Sequence, residues 1–493
     1  MPQRPATRAR RSLTLGVVML GLLIRGPLGV TASAAETAPS EASVSNSGTP
    51  VIVPDPVEIT SLPGYVAERI PAPVLGGEVY VVEAGPEDAP TLVLVHGVTR
   101  VGAHDWYAVL PELAKQYRVL TFDLPGFHRS SGGNKLYSPA AYAEFVLEVA
   151  AKRRPGPFLL IGHSLGAAVS IEIAARGSDR VQRLMLVDVA GILLPKAFYY
   201  GAIDRANAKL GSFAPIFDGL RDGARDLGGF VPDAYAKAGE ATLLGSEWLR
   251  GFLLADDPSR VAAAALMAHD FGPALGRVKA PTLVLWGELD TTAPLRTARA
   301  VSSRVDNAPV VILSGVKHVP MNEAPERFND VALAWLSGTG PDAEGLEPGP
   351  GEDISDHDVE CRSQRDLTFE GHYRRITLNQ CRDIVLRNVY ASQVSMQGSI
   401  VKIESSVIEN PGVAVSAVSS ELTISGGHIR GAIAIESSGS ELDLAGTTLE
   451  GSEAALFARE GSTSLLCSIC RLESPERQIF LHDVLEVLPG TRY

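Results

Sequence analysis

Phe158-Leu159-Leu160-Ile161-Gly162-His163-Ser164-Leu165-Gly166 decides how this chain is read. Four apolar residues run into Gly-x-Ser-x-Gly, and an Ala-rich stretch with helical spacing follows at once. The order is strand, sharp turn, helix. Such a turn strains its central residue and lifts Ser164 Oγ above the sheet edge. Gly162 and Gly166 suit it, because a Cβ at either place would meet neighbouring backbone. The pentapeptide alone is a weak signal, since chance supplies it in roughly one such chain in three. Its setting between a buried strand and a helix is what gives it force.

Working outward, Thr91–Val95, Val119–Phe122, Leu184–Val187 and Thr282–Trp286 are further apolar runs. Continuous runs of this kind suit strands covered on both faces. Helical patterns over 106–116, 139–153 and 165–176 lie between them. The alternation predicts an α/β fold with a mostly parallel sheet and helices on both faces. Tyr65–Ile70 and Glu78–Glu83 read as a hairpin ahead of it. Between Val187 and Lys279 the alternation stops, over a span too long for a plain crossover. It reads as a helical cap, about 190–278, seated over the strand ends. Tyr199, Tyr200, Phe213, Phe217 and Trp248 are its aromatics, and core packing is the commoner role for such residues.

A serine hydroxyl needs a base, and the base needs an orienting acid. Asp290 follows the buried run Leu283–Gly287, and His318 follows the strand-like Val310–Leu313. Ser164, Asp290 and His318 therefore come in the chain order Ser, acid, His, each in a strand-end loop. Each has a plainer reading: Asp290 as a cap before Thr291-Thr292, His318 as a surface histidine, Ser164 as an inert turn residue. All three would then have to be strand-end coincidences. His96-Gly97 follows another buried strand, so the next peptide N–H can turn into the site. The backbone N–H groups of Val98 and Leu165 are the expected oxyanion donors. His96 reads as a structural hydrogen-bonding residue and His128 as a solvated loop side chain.

These segments resemble the α/β-hydrolase superfamily over about 65–336. The matching residues are His96-Gly97, Asp123-Leu124-Pro125-Gly126-Phe127, Gly162–Gly166, Trp286-Gly287 with Asp290 and Pro294, and Gly315–Pro320 with Asn322–Pro325. Gly102-Ala103-His104-Asp105-Trp106 brings the esterase and meta-cleavage-product (carbon–carbon bond) hydrolase group closest. The resemblance implies a catalytic triad of Ser164, Asp290 and His318, a helical cap, and no metal or organic cofactor. Serine at the turn speaks against haloalkane dehalogenases and epoxide hydrolases, which carry Asp there.

The rest of the 493 residues divides by composition. Residues 1–35 read as a cleavable export signal, with Arg4, Arg8, Arg10 and Arg11, an apolar run Leu13–Ile24 and Ala32-Ser33-Ala34. The run is too short to span a membrane, which predicts a periplasmic or secreted protein with no stable span. Whether Arg10-Arg11 marks a twin-arginine signal stays open. Residues 36–56 read as a disordered linker, 57–337 as the α/β-hydrolase domain and 338–358 as an acidic linker. In 359–493, Ser399–Ile403, Ser420–Ile424 and Ser440–Leu444 recur at intervals of 21 and 20. That period predicts an all-β repeat domain, read as a short parallel β-helix, with a β-sandwich as the alternative. Cys361 and Cys381 are 20 apart and can form a disulfide between neighbouring turns. Cys467 and Cys470 are either a local disulfide or buried thiols. They make only half a zinc site.

The net charge of −13 excludes a general affinity for nucleic acid. The leading expectation is an exported serine hydrolase acting on a small-molecule or lipid-like ester, carboxylesterase-like, with C–C bond hydrolysis also open. The repeat domain would be an appended binding or spacer module. The competing expectation is a catalytically idle binding protein whose repeat region recognises a surface partner or glycan. A β-helix polysaccharide-degrading enzyme is the weakest reading, for want of concentrated carboxylates.

Overall fold

The computed structural model describes residues 54–340 and 357–493, apart from 73, 134, 195–241 and 255. The export signal, most of both linkers, and Tyr199, Tyr200, Phe213 and Phe217 of the cap lie outside the described residues.

The first sheet has eight strands: β1 (Val66–Pro71), β2 (Glu78–Ala84), β3 (Thr91–Val95), β4 (Arg118–Phe122), β5 (Phe158–His163), β6 (Val181–Val187), β7 (Thr282–Gly287) and β8 (Val310–Leu313). Their order across the sheet is β1-β2-β4-β3-β5-β6-β7-β8. β1 and β2 form the expected antiparallel hairpin, and β2 meets β4 antiparallel. Every other pairing is parallel. Alternate side chains feed two separate cores. Val93, Val95 and Leu160 join one, while Leu92, Leu94, Leu159 and Ile161 join the other. That division is why these strands read as continuous apolar runs.

Helices Pro139–Arg153 and Leu165–Arg176 occupy the expected ranges. The first starts with Ser138, whose hydroxyl accepts from the Ala141 N–H at 3.2 Å, and Pro139 at its first position. The pattern over 106–116 breaks into a 3-10 turn, Gly102–Trp106, and one helical turn, Leu110–Leu113. Pro111 is tolerated only at a helix start, so the longer helix cannot run through it. The described part of the cap region is helical, over Glu247–Leu254, Pro258–Met267 and Gly272–Leu275.

The second domain is all strand. β9 (Asp358–Arg362) and β10 (Thr368–Asn379) lead into β11 (Ile384–Gln397), β12 (Ile400–Glu404), β13 (Val407–Val418), β14 (Glu421–Ser425), β15 (His428–Ser438), β16 (Glu441–Ala445), β17 (Thr448–Ala458) and β18 (Thr463–Ser474). The hydrogen bonds of β11–β18 close into a circuit of eight parallel strands, β12-β14-β16-β18-β17-β15-β13-β11 and back to β12. Ile400 faces Glu421, which faces Glu441, so the sequence intervals of 21 and 20 are the pairing offsets. Parallel pairing sets aside the β-sandwich, whose sheets are antiparallel. Serines form a rung at each offset. The Ser399 N–H donates to Ser420 Oγ at 3.2 Å, and the Ser420 N–H to Ser440 Oγ at 3.1 Å. β19 (Arg477–Val487) closes the end antiparallel to β18.

Cys361 and Cys381 are disulfide-bonded, with their Cα atoms 6.4 Å apart. Cys467 and Cys470 are not bonded to each other; they are buried free thiols. A register shift separates them on β18, and the Cys470 thiol donates to the Leu444 carbonyl at 3.4 Å.

The two domains share a packed contact. Ala445, Leu466 and Ile469 sit in the core of the α/β domain. Arg296, on the helix Arg296–Ser302, grips Asp443 through two bonds of 2.7 and 2.9 Å. Arg299 pairs with Glu404 at 3.2 Å. The Leu194 N–H, at the root of the cap, donates to Ser468 Oγ at 3.0 Å.

Candidate active site

Ser164 sits between β5 and the helix Leu165–Arg176 at φ 53 and ψ −117. A side chain in that left-handed region stores about 1–3 kcal/mol of strain. The two flanking glycines make the turn possible. A Cβ on Gly162 would lie 2.3 Å from the Gly166 carbonyl oxygen, and one on Gly166 would lie 2.0 Å from that of Val95.

Ser164, Asp290 and His318 converge. His318 Nε2 lies 3.1 Å from Ser164 Oγ, and its Nδ1 lies 2.7 Å from Asp290 Oδ2. Because Oδ2 of a carboxylate only accepts, Nδ1 carries the proton and Nε2 is free to accept from the serine hydroxyl. Asp290 caps no helix, since the next one, Arg296–Ser302, starts after Leu295, but it does close a local turn. Its Oδ1 accepts from the N–H groups of Thr292 and Ala293 at 2.7 and 3.0 Å, which fixes the carboxylate before it meets His318. Trp286 Nε1 donates to the Ala293 carbonyl at 3.1 Å and closes that loop. The Leu289 N–H donates to the Val316 carbonyl at 2.8 Å, joining the acid-bearing loop to the histidine-bearing one.

The His-Gly turn after β3 lies against the serine. A Cβ on Gly97 would come 2.9 Å from Ser164 Cβ, so only glycine lets the peptide leading to Val98 pass there. Leu165 opens its helix, where N–H groups lack intrahelical acceptors. His96 is structural, as its position suggested. It is fully buried, its Nδ1 donates to the Gly97 carbonyl at 2.7 Å, and its Nε2 accepts from the Leu124 N–H at 2.8 Å. His128 is not a solvated loop residue. Its side chain is 6% exposed at φ 43, and its Nδ1 lies 3.1 Å from Asp123 Oδ2. The buried Asp123 draws it in.

Three further groups escaped the sequence reading. His163, beside the serine, donates from Nε2 to the His318 backbone carbonyl at 2.6 Å. Burial, then the neighbouring His318, pushes its pKa down to about 3. Asp105 faces the same region; burial raises its carboxyl to about 6, against a hydrogen bond from Thr99. Asp188 directly follows β6 and feels the charge of Asp290. The variable position of the Gly-x-Ser-x-Gly motif pointed to the first, and a carboxylate just past a buried strand pointed to the last. Ligand atoms of His163, Asp188 and His318 lie within 4.8 Å of one another. Both ring nitrogens of His318 are already engaged, so a cation there would have to displace Ser164 or Asp290.

A family model described as an alpha/beta hydrolase family matches residues 92–331. This segment of the chain belongs to the α/β-hydrolase superfamily. Over 248 residues the hydrolase is 27% identical to a pimeloyl-[acyl-carrier protein] methyl ester esterase of Nitrosomonas europaea, covering 49% of this chain and 93% of that one. Over 262 residues it is 28% identical to a 2-hydroxy-6-oxononadienedioate/2-hydroxy-6-oxononatrienedioate hydrolase of Paraburkholderia xenovorans, covering 51% and 88%. A solved hydrolase from Pseudomonas aeruginosa is 26% identical with a TM-score of 0.41, over 55% of this chain and 98% of that one. No family model matches the C-terminal region. Among the described residues, no helix is long and apolar enough to cross a membrane.

Proposed function

We propose that the protein is an exported serine hydrolase that cleaves a carboxylic ester through an acyl-enzyme on Ser164. The observation that carries this reading is the unbroken line Asp290–His318–Ser164, with bonds of 2.7 and 3.1 Å. His318 takes the Ser164 proton as Oγ attacks the carbonyl carbon. Asp290 holds the imidazole tautomer and stabilises its cation. The tetrahedral oxyanion lies between the N–H groups of Val98 and Leu165, each worth ~3 kcal/mol of transition-state stabilisation. The first turn of the helix Leu165–Arg176 adds its partial positive charge. His318 then protonates the leaving alkoxide, and water activated by the same base releases the acid.

An ester is the leading substrate class because one relative is named a methyl ester esterase. Carbon–carbon bond cleavage is the second reading, supported by the relative named a 2-hydroxy-6-oxononadienedioate hydrolase. Export is proposed from the basic and apolar N-terminus alone. We read the 20- and 21-residue offsets of the second domain as turns of a short parallel β-helix. Its role is to brace the hydrolase domain, gripping the helix that follows the Asp290 loop and the root of the cap.

A panel of short- and long-chain acyl esters, set beside 2-hydroxy-6-oxononadienedioate, tests the substrate class. The reading predicts ester turnover that falls by at least ~1,000-fold in Ser164→Ala. Unchanged ester hydrolysis in that variant would refute it.

A further inference from the structure

We propose that Asp188 is a positioning residue of this site: a carboxylic acid that keeps its proton and donates it in a hydrogen bond to the Asp290 carboxylate, so that one negative charge, not two, stands behind His318. The proposal rests on the assignment of Ser164, Asp290 and His318 above.

The geometry is specific. Asp188 is fully buried at the end of β6, at φ 45. Its Oδ1 accepts from the Gly287 N–H at 2.9 Å. Its Oδ2 is buried and has no donor among the described residues. That atom costs about 1–3 kcal/mol if left unsatisfied. An Asp188 carboxylate oxygen lies within 4.8 Å of ring nitrogens of His163 and His318, His318 holds Asp290 at 2.7 Å, and Asp290 is the charge that acts most strongly on Asp188. Two carboxylate oxygens cannot hydrogen-bond, because both only accept. A single proton between them removes both problems.

The surroundings agree on which residue holds it. Asp290 already accepts from Thr292 and Ala293 on Oδ1 and from His318 on Oδ2, so both of its oxygens serve as acceptors. Among the described residues, Asp188 accepts from one backbone N–H alone. The groups that face it are Asp290 after β7, His318 after β8, His163 at the end of β5 and, at longer range, Glu323. Burial first, and then the charge of Asp290, raise the Asp188 carboxyl to about 9. His163 stays neutral and does not offset a second anion.

An ionised Asp188 would repel Asp290 and draw it off line. It would also stabilise the imidazolium of His318, which must give its proton back within each cycle. The neutral acid instead anchors Asp290 and leaves the base poised. Activity should therefore fall as pH rises through the ionisation of Asp188. Asn at this position keeps both bonds, with its amide oxygen on Gly287 and its amide N–H on Asp290, and cannot ionise.

The test follows the rate of inactivation by a fluorophosphonate from about pH 6 to about pH 10, with difference infrared spectra of the same samples. Wild-type protein should show an alkaline fall centred near pH 9. Asp188→Ala should react ~10- to 100-fold more slowly at neutral pH. Asp188→Asn should recover most of that loss and lack the alkaline fall. A protonated-carboxyl C=O band should be present at neutral pH in wild type and missing in Asp188→Asn. A folded Asp188→Asn as slow as Asp188→Ala, or the absence of that band from wild type, would overturn the proposal. Failure of wild-type protein to label at any pH would instead remove the Ser164 assignment, while the infrared band would still report the protonation state of Asp188.

Discussion

His163 Nε2 donates to the backbone carbonyl of His318 at 2.6 Å. The residue next to the nucleophile thereby holds the loop that carries the base. Both rings sit side by side, with centroids 5.0 Å apart. His163→Ala should leave His318 loosely held and lower kcat/KM by ~10- to 100-fold, as expected for about 1–3 kcal/mol of lost buried bonding. Steady-state kinetics on an ester substrate checks this, with His163→Gln retaining part of the rate through its amide donor.

The same histidine has a pH signature in stability. It is neutral in the fold down to about pH 3, whereas in the unfolded chain it takes up a proton near pH 6.5. Unfolding is therefore favoured progressively as pH falls between these values. Denaturant titrations at pH 7 and near pH 4 should show a smaller loss of stability in His163→Gln than in wild type.

Asp55 lies in a cage of donors. Its carboxylate accepts from Tyr65 at 2.6 Å, Tyr80 at 3.0 Å, Tyr107 at 2.7 Å, His104 at 3.0 Å and Arg129 at 2.5 Å. Its side chain is 2% exposed. Burial alone would raise its pKa, but the bonds from His104, Tyr65, Tyr107 and Arg129 win and hold it well below the usual carboxylate range. This contribution to stability is present above the unfolded value of ~3.9 and is lost as pH falls towards the depressed one. Asp55→Ala leaves Arg129 with Asp123 alone and should cost about 3–5 kcal/mol at neutral pH. Urea denaturation at neutral pH, repeated near pH 3, measures both the cost and its shrinkage in acid.

Gly446 lies in the contact between the domains at φ 64, where a Cβ would come 2.4 Å from Ala300 Cα. Gly439 has a similar φ of 57 but open space around it. Valine at 439 should cost only the backbone term, ~1–2 kcal/mol. At 446 it should add ~1–3 kcal/mol of overpacking and force the second domain away from the helix Arg296–Ser302. Thermal unfolding of the two variants separates these terms. A further loss of ester turnover in Gly446→Val alone would tie the second domain to the cap and the Asp290 loop.

Much of this arrangement was legible in the sequence, and what was hidden has a common cause. Leu159–Ile161 and Leu283–Gly287 announce buried strands because both faces of the sheet are covered, and Ser164, Asp290 and His318 follow from strand ends and chain order. The intervals of 20 and 21 between Ser399, Ser420 and Ser440 state the pairing register outright. Asp55 and His128 were not legible, since each takes its meaning from partners brought together by the fold, and Asp188 was marked only by its place just past a buried strand. The break in the 106–116 helix was readable in Pro111, but the apolar period masked it. Cys467 and Cys470 have disulfide-like spacing, yet a bulge in β18 intervenes and Cys470 turns to a backbone carbonyl.

Covalent labelling by a fluorophosphonate, with the modified peptide identified by mass spectrometry, asks directly whether Ser164 is the nucleophile. One adduct is expected, on Ser164, absent in Ser164→Ala and reduced by at least ~1,000-fold in His318→Ala. An unlabelled wild-type protein, or an adduct that persists when Ser164 is replaced, would contradict that role.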